Sequence, residues 1–486
     1  MAVFKKWAGG EVGFAASRPL SFFLFVRRER GIECALEPNT QTMADTNTSL
    51  ETTALPDWWQ REKQRRQLYF LVFLIAVLLL IGYYYWASRT EGAQVVGANF
   101  DTTNYIAFVR RNKEGNTDLY AIRADGFGLR PLTDLSDKSS KETPVWTMDG
   151  KRLIYASTGR DMRTWQIYLL GEGEATQLTY GTGNKSAPMV SPDGQRFGFI
   201  AQGAVKSANL NGTDVYQLMP QPNSGEGAGD ETKPTGLDAA SSLQGAFRSV
   251  VFSADGRGCA GVKDVNGEEN PTAIDNMTVG SQAAFAIPPN GDKSVLLNMG
   301  REVSLAWEPN GSRIACAFGE MLTKDPANNK DQLVSGIVIW NFQNPTRPTA
   351  HPIFLAHGYT LEPRNIAWSP DGSKLAFEGW RIRGENDREL RGIVVMDARA
   401  GYGIKISTPK EADMMQYMIP ASKEGKPQHP LWSPDGKRLL YEMQRKDGKH
   451  DIWVVNADGT DPMNLTKGEK DGTDNTQAVW SPVRLK

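Results

Sequence analysis

Histidine and cysteine are scarce, and their scarcity removes most of the familiar chemistry. Four histidines, His351, His357, His429 and His450, occur in 486 residues. None sits in an H-E-x-x-H or H-x-x-x-H pattern, and no G-x-S-x-G elbow is present, so neither a zincin nor an α/β-hydrolase nucleophile is written here. The three cysteines, Cys34, Cys259 and Cys316, show no metal-type spacing. No metal and no cofactor is expected. Cys259 and Cys316 fall in similar strand contexts about a repeat apart and read as small core side chains. A disulfide between them stays open if the domain lies outside the reducing cytosol. An excess of either charge is lacking too: 55 Lys and Arg against 56 Asp and Glu give a net −1. That excludes the basic field that gathers nucleic acid, so no nucleic-acid partner is expected. Long helical patterns are few. What the chain has instead is glycine (48) and tryptophan (13), the composition of an all-β protein rich in turns.

One apolar run stands out. No charged residue lies between Arg66 and Arg89, and Leu68–Trp86 reads LYFLVFLIAVLLLIGYYYW. As a helix it would span about 28 Å, close to a bilayer core. Tyr83, Tyr84, Tyr85 and Trp86 make an aromatic belt at one end, with Trp58 and Trp59 before the other. Arg61, Lys63, Arg65 and Arg66 flank the N-terminal side and Arg89 alone the other, which puts the N-terminus in the cytoplasm and the rest outside. A cleaved signal would have a shorter apolar region ending in small residues, so an anchor is expected. The domains expected are a disordered cytoplasmic tail at 1–66, a transmembrane helix at 67–88, a linker at 89–103 and a β-domain at 104–486. Met43 would serve well as the true start, making 1–42 an over-long gene prediction.

The β-domain repeats. Trp368-Ser369-Pro370-Asp371-Gly372 precedes SKLAFEG, and Trp432-Ser433-Pro434-Asp435-Gly436 precedes KRLLYEM. Weaker copies begin at Trp146 and Val190, more degraded ones at Phe252 and Trp307, and a half-copy at Trp480. Pro-Asp-Gly is a turn, since proline presets φ and glycine accepts φ > 0, so the flanking strands form a hairpin. The Trp before the turn can fill the wedge between neighbouring sheets. In the strand after it, Leu153 and Tyr155 lie on one face, Ile154 and Ala156 on the other. A third strand follows, such as Asp118–Ile122 or Asp451–Val455. It leads through Ala-Asp-Gly to a fourth closing on Leu-Thr (132–133, 178–179, 465–466). Four antiparallel strands per repeat make a propeller blade.

W-S-P-D-G-K-x-L, then D-I-W-V-V-N-A-D-G-T, then N-L-T, resembles the TolB-type propeller repeat across most of residues 104–482. The resemblance implies an extracytoplasmic β-propeller with a role in envelope assembly. Tyr105–Val109 is a second strand without a first, and Ala478–Trp480 a first without a follower. Joined, they close the ring. Six turn motifs plus this composite predict seven blades; the family's six holds if one weak motif is not a blade. The membrane-anchored dipeptidyl peptidases share the order of tail, helix and propeller. Only four residues follow Pro482, so their hydrolase domain is not expected.

The first-to-second and third-to-fourth turns share one face of the disc. The long segments Pro220–Gln244, Leu322–Gln332, Arg381–Arg391 and Pro409–Lys426 are assigned to the other, which makes that face the expected binding surface. The reading is a non-enzymatic, membrane-anchored scaffold, periplasmic or at the cell surface, that binds a protein or an envelope polymer. The alternative is a propeller enzyme or carbohydrate-binding protein with its site at the channel mouth. Its candidate contacts are Glu142, Arg248, Glu302, Arg364 and His429, which precede the first strands of different blades at comparable positions. Solvated loop charge is the bland account of the same five.

Overall fold

The structure is a computed structural model. It describes residues 65, 68–70, 72, 74–78 and 105–482, the last range without 160–162, 172–174, 220–244, 266–281, 290–293, 310, 325–326, 345–346, 359, 385–386, 399–403, 424 and 469. The described residues of 65–78 are helical, and Leu68, Tyr69, Phe70, Leu74 and Leu78 are exposed. Among the described residues no helix is long and apolar enough to cross a membrane. The rest of the expected span, the tail and the linker lie outside them.

Among the described residues of 105–482 the chain is strands and turns apart from one short helix, Pro409–Asp413. The repeat motif builds five of the hairpins through the same bonds, and in the Trp307 copy Glu308 takes the hydroxyl's place. In the sixth repeat the Ser369 hydroxyl accepts from the Lys374 N–H (2.9 Å) and donates to Asp371 Oδ1 (2.5 Å). The Asp371 carboxylate also accepts from the Ser373 N–H at 3.1 Å. Those hydroxyl and backbone donors lower the Asp371 pKa to about 2. Ser191, Ser253 and Ser433 repeat the arrangement, and Thr147 substitutes in the second repeat. The glycines that end these turns, from Gly150 to Gly436, all take φ between 65° and 69°. The closing Leu-Thr has an equal role. The hydroxyls of Thr133, Thr179 and Thr466 accept from the N–H of Leu119, Ile167 and Ile452, which fastens the fourth strand onto the third.

Five sheets have four strands. The first joins Asp474–Trp480, near the C-terminus, to Tyr105–Arg111, Thr117–Arg123 and Arg130–Pro131. The second begins at Lys141–Trp146 and the third at Lys185–Val190; the sixth begins at Leu361–Trp368 and the seventh at Lys426–Trp432. The remaining, eight-stranded sheet contains the long strand Val295–Trp307. Its first part pairs with Gln282–Ile287 and its second with Arg313–Lys324, so one strand ends the fourth unit and opens the fifth. Seven four-stranded units result, an all-β architecture consistent with a β-propeller.

The units pack face to face, and each face meets a different neighbour. Leu153 and Tyr155 pack with Val109 and Leu119 of the first sheet, while Ile154 and Ala156 pack with Phe197 and Phe199 of the third. Such clusters follow between third and fourth, fourth and fifth, fifth and sixth, and sixth and seventh. A last one joins Leu440, Ile452 and Val454 of the seventh to Ile106 and Phe108 of the first. Cys259 and Cys316 are free thiols in two different clusters, and burial pushes the Cys259 thiol up to about 12.

The long connections differ from expectation. Leu322–Gln332 and Arg381–Arg391 are not wholly loops: the flanking strands Arg313–Lys324 with Asp331–Asn341, and Lys374–Ile382 with Arg388–Asp397, run on through them as extended hairpins. Pro409–Lys426 is not a connection between units, because it contains the sixth sheet's own fourth strand, Ile419–Pro420. Before that strand the chain leaves the sixth sheet, and Ile404–Ile406 adds in parallel to Phe354–Ala356 on the outer edge of the fifth. Pro220–Gln244 lies outside the described residues.

Candidate functional site

Every unit's inner strand carries a bulge at the same height. In six of them two inner-strand residues oppose one buried aromatic of the second strand. Thr143 and Pro144 face Tyr155, and Glu302 and Val303 face Phe318. Asn365 and Ile366 face Phe377, and His429 and Pro430 face Tyr441. Ala187 with Phe199 and Gln477 with Phe108 complete the set. The first bulge residue is left-handed each time, with φ from 48° to 54°. None of these six is glycine, and such a conformation costs roughly 1–3 kcal/mol at each. In the fourth unit Arg248 is the single extra residue. Bulges of this kind re-aim side chains, and here they turn the inner strands toward the axis.

The bulged N–H groups leave their own sheet's ladder and bond across to the preceding unit. Glu378 Oε1 accepts from the His429 N–H (2.7 Å). Glu442 Oε1 accepts from the Gln477 N–H (2.6 Å), and Gln477 Oε1 from the Thr143 N–H (2.5 Å). A relay therefore runs from the sixth unit through the seventh and first to the second. Glu378 and Glu442 stand at one repeat position, directly after Phe377 and Tyr441, and both are buried.

Around the bulges lies a cavity of about 640 Å³, walled by inner-strand residues of the first, second, fifth, sixth and seventh units. Its wall is largely apolar, with Val145, Leu305, Ile366, Leu431 and Val479. A recess of about 290 Å³ opens beside it between the fifth, sixth and seventh units. Ser304, Asn365, Gln428 and His429 line both. The His429 side chain is about half exposed; partial desolvation disfavours its charge, but its bond to Glu442 Oε2 (3.3 Å) and the nearby Glu378 carboxylate outweigh that and raise its pKa to about 9. The two carboxylates thus favour the imidazolium form of His429 at neutral pH. Glu378 also accepts from Asn365 Nδ2 and Trp380 Nε1, both at 2.8 Å, and the Arg364 guanidinium lies 4.6 Å from the centre of the Trp380 ring.

Behind the recess is a buried charge cluster. Arg364 Nε donates to Glu362 Oε1 at 2.6 Å and lies near Glu302 (3.7 Å). Arg388 and Arg301 both hold Glu320. Glu362 is fully buried and its Oε2 accepts no hydrogen bond; burial raises its pKa, with Arg364 acting against the shift.

The five residues expected at the channel mouth lie within the inner strands rather than before them. Glu142 and Arg364 stand just ahead of their bulges; Arg248, Glu302 and His429 stand in theirs. The structure gathers Glu302, Arg364 and His429 at the recess. Glu142 is not among the lining residues of recess or channel, nor is Arg248, which is half exposed and paired with Asp264 at 3.3 Å. Glu378, Glu442, Asn365 and Gln477 were missed. The first two were visible as the glutamate after the aromatic in KLAFEG and RLLYEM, the two repeats with a complete W-S-P-D-G.

The fold and site define an all-β protein of propeller-like construction with a polar recess beside a largely apolar cavity. No protein-family model matches the sequence, and no curated protein matches it. Solved structures similar to it include TolB from Acinetobacter baumannii, 18% identical over 79% of this chain and 68% of that one, with a TM-score of 0.43. An oligogalacturonate lyase in complex with manganese is 14% identical over 75% of this chain and 86% of that one, TM-score 0.43. A puromycin-hydrolyzing peptidase of Mycobacterium tuberculosis is 13% identical over 78% of this chain and 55% of that one, TM-score 0.45.

Proposed function

We propose that this chain is a seven-bladed, TolB-like propeller, tethered outside a cytoplasmic membrane by a helix at 67–88, that acts as a non-enzymatic binding scaffold in the cell envelope. Its ligand is an extended protein segment or envelope polymer, taken up at the recess and against the extended hairpins of the fifth and sixth units. One observation carries the binding reading: the cations of the recess are engaged by fixed carboxylates. Glu362 holds Arg364, and Glu442 keeps His429 protonated. A protonated imidazole donates hydrogen bonds and is no general base at neutral pH. With the amides of Asn365 and Gln428 and an apolar wall, it makes a surface suited to orienting a ligand. The tether is supported by the helical, exposed, apolar residues among 68–78.

The test uses the full chain in nanodiscs as bait for envelope extract, beside His429→Gln. Specific retention by the wild type, weakened at least several-fold by the variant, supports the reading. Steady turnover of a peptide or polysaccharide, lost in the variant, would replace it with the enzyme alternative.

A further inference from the structure

Two features coincide on the face where the first-to-second and third-to-fourth turns lie. The chain enters the sheets there. Tyr105 pairs with Arg123, and its carbonyl accepts from the Ser481 N–H at 2.8 Å, just after the end of the inner strand. A Cβ on Gly128 would lie 3.3 Å from the Tyr105 hydroxyl, so the turn Asp125–Leu129 sits directly over the entry point.

Exposed apolar side chains gather around the same point. Phe127 is 69% exposed at the tip of that turn, with Leu129 beside it. Met463, exposed at the matching turn of the seventh unit, has its sulfur 3.7 Å from where a Gly126 Cβ would be. Met148 stands on the turn of the second unit, and Val215 and Tyr216 on that of the third. All belong to the seventh, first, second and third units, the sector centred on the entering chain. Among the described residues the turns of the fourth and fifth units expose no large apolar side chain, while the sixth exposes Met414 in the connection to its fourth strand. On the opposite face the described residues expose Leu135 and Tyr180. Phe127, Leu129, Met463 and Met148 thus form an exposed apolar set around the entry point, extended by Val215 and by Tyr216, whose ring carries the Arg196 guanidinium at 4.5 Å.

We propose that this sector docks on the outer surface of the bilayer that the chain is anchored in, with Phe127, Met463 and Met148 inserted at the interface. The proposal rests on the tether reading above. From Trp86 to Tyr105 the intervening residues 87–104 could reach at most about 60 Å. A tether of that reach would give the domain a high effective concentration at the surface, so a few shallow apolar side chains would suffice for docking. The charges around the patch have both signs, Arg123 with Asp125, each about half exposed, and Arg152 with Asp149. A neutral lipid surface therefore fits as well as an anionic one. Docking this way leaves the hairpins and the recess side facing outward.

The test uses the full chain with Cys34→Ser. Cys259 and Cys316 are buried, so an introduced cysteine takes the label. Phe127→Cys, Met148→Cys and Lys330→Cys, the last on a hairpin of the opposite face, are each labelled with an environment-sensitive dye in phosphatidylcholine vesicles. We expect labels at 127 and 148 to be quenched at least several-fold more by nitroxide lipid than the label at 330, which iodide quenches instead. Adding Phe127→Ser with Met463→Ser should return the 148 label to iodide. Chain that floats with the vesicles while its 127 and 148 labels behave like 330 overturns the docking and leaves the tether standing. Chain that fails to float overturns both.

Discussion

At the scale of single residues, the repeat motif is a set of hydrogen-bond obligations. The Ser369 hydroxyl is buried and serves two groups, the Lys374 N–H and Asp371. Ser369→Ala should cost about 1–2 kcal/mol, because it leaves a buried donor unmet. A lowered thermal midpoint measures this, and Ser369→Thr, which copies Thr147 of the second unit, should restore most of it. His429 makes a different prediction. Its pKa is raised to about 9 in the fold, against about 6.5 in the unfolded chain. Its contribution to stability is then full below about pH 6.5 and is lost as the pH climbs through 9. Denaturant midpoints should fall across that window, and His429→Gln should flatten the fall. A wild-type slope unchanged by the variant would place the titration elsewhere.

At the scale of strands, the bulge decides what may stand beside it. Gly319 holds the position that Glu378 and Glu442 hold in later units, yet it has to be small. A Cβ there would lie 2.7 Å from Glu362 Cγ and closer still to the carboxyl, and Glu362 is fully buried. Gly319→Ala should therefore destabilise by about 1–3 kcal/mol through overpacking, read as a lowered urea midpoint. Alanine at Gly358, where nothing lies within 4 Å but φ is +62°, would suffer backbone strain instead. This contrast also marks how far the sequence was legible. In five units the W-S-P-D-G positions answer to a hydroxyl, a carboxylate and a φ > 0 residue, and the Leu-Thr positions to a hydroxyl, so those hairpins could be read from the letters; the fifth unit closes its turn with Glu308 in the hydroxyl's place. The alternation of Leu153 and Tyr155 against Ile154 and Ala156 named both packing faces. The bulges could not be read, because Thr143, Ala187, Glu302, Asn365, His429 and Gln477 share a conformation but no chemistry. Nor could the boundary between the fourth and fifth units, since Val295–Trp307 passes from one to the other with no turn to announce it. The recess is made of bulges, so only the Glu302, Arg364 and His429 side of it was within reach.

At the scale of the molecule, the seven units are one-sided solutions to the same problem: each sheet has two apolar faces and needs a neighbour on both. A linear array would leave two faces wet. Here Ile106 and Phe108 of the first unit meet Leu440 and Val454 of the seventh, and the strand Asp474–Trp480 holds them together by pairing with Tyr105–Arg111. That strand also carries Gln477, which links the seventh unit's Glu442 to the second unit's Thr143. Removing residues 474–486 should do more than delete one edge. It would bare the backbone of Tyr105–Arg111 as an open edge, expose the seam between first and seventh units, and break the relay that reaches His429. The expected outcome is loss of a single cooperative melt and self-association, seen by calorimetry and light scattering. The same segment supplied as a separate peptide should restore the melt in proportion to its occupancy. A truncated chain that stays monomeric and melts like the full one would mean that the units stand independently, and that the composite sheet closes nothing.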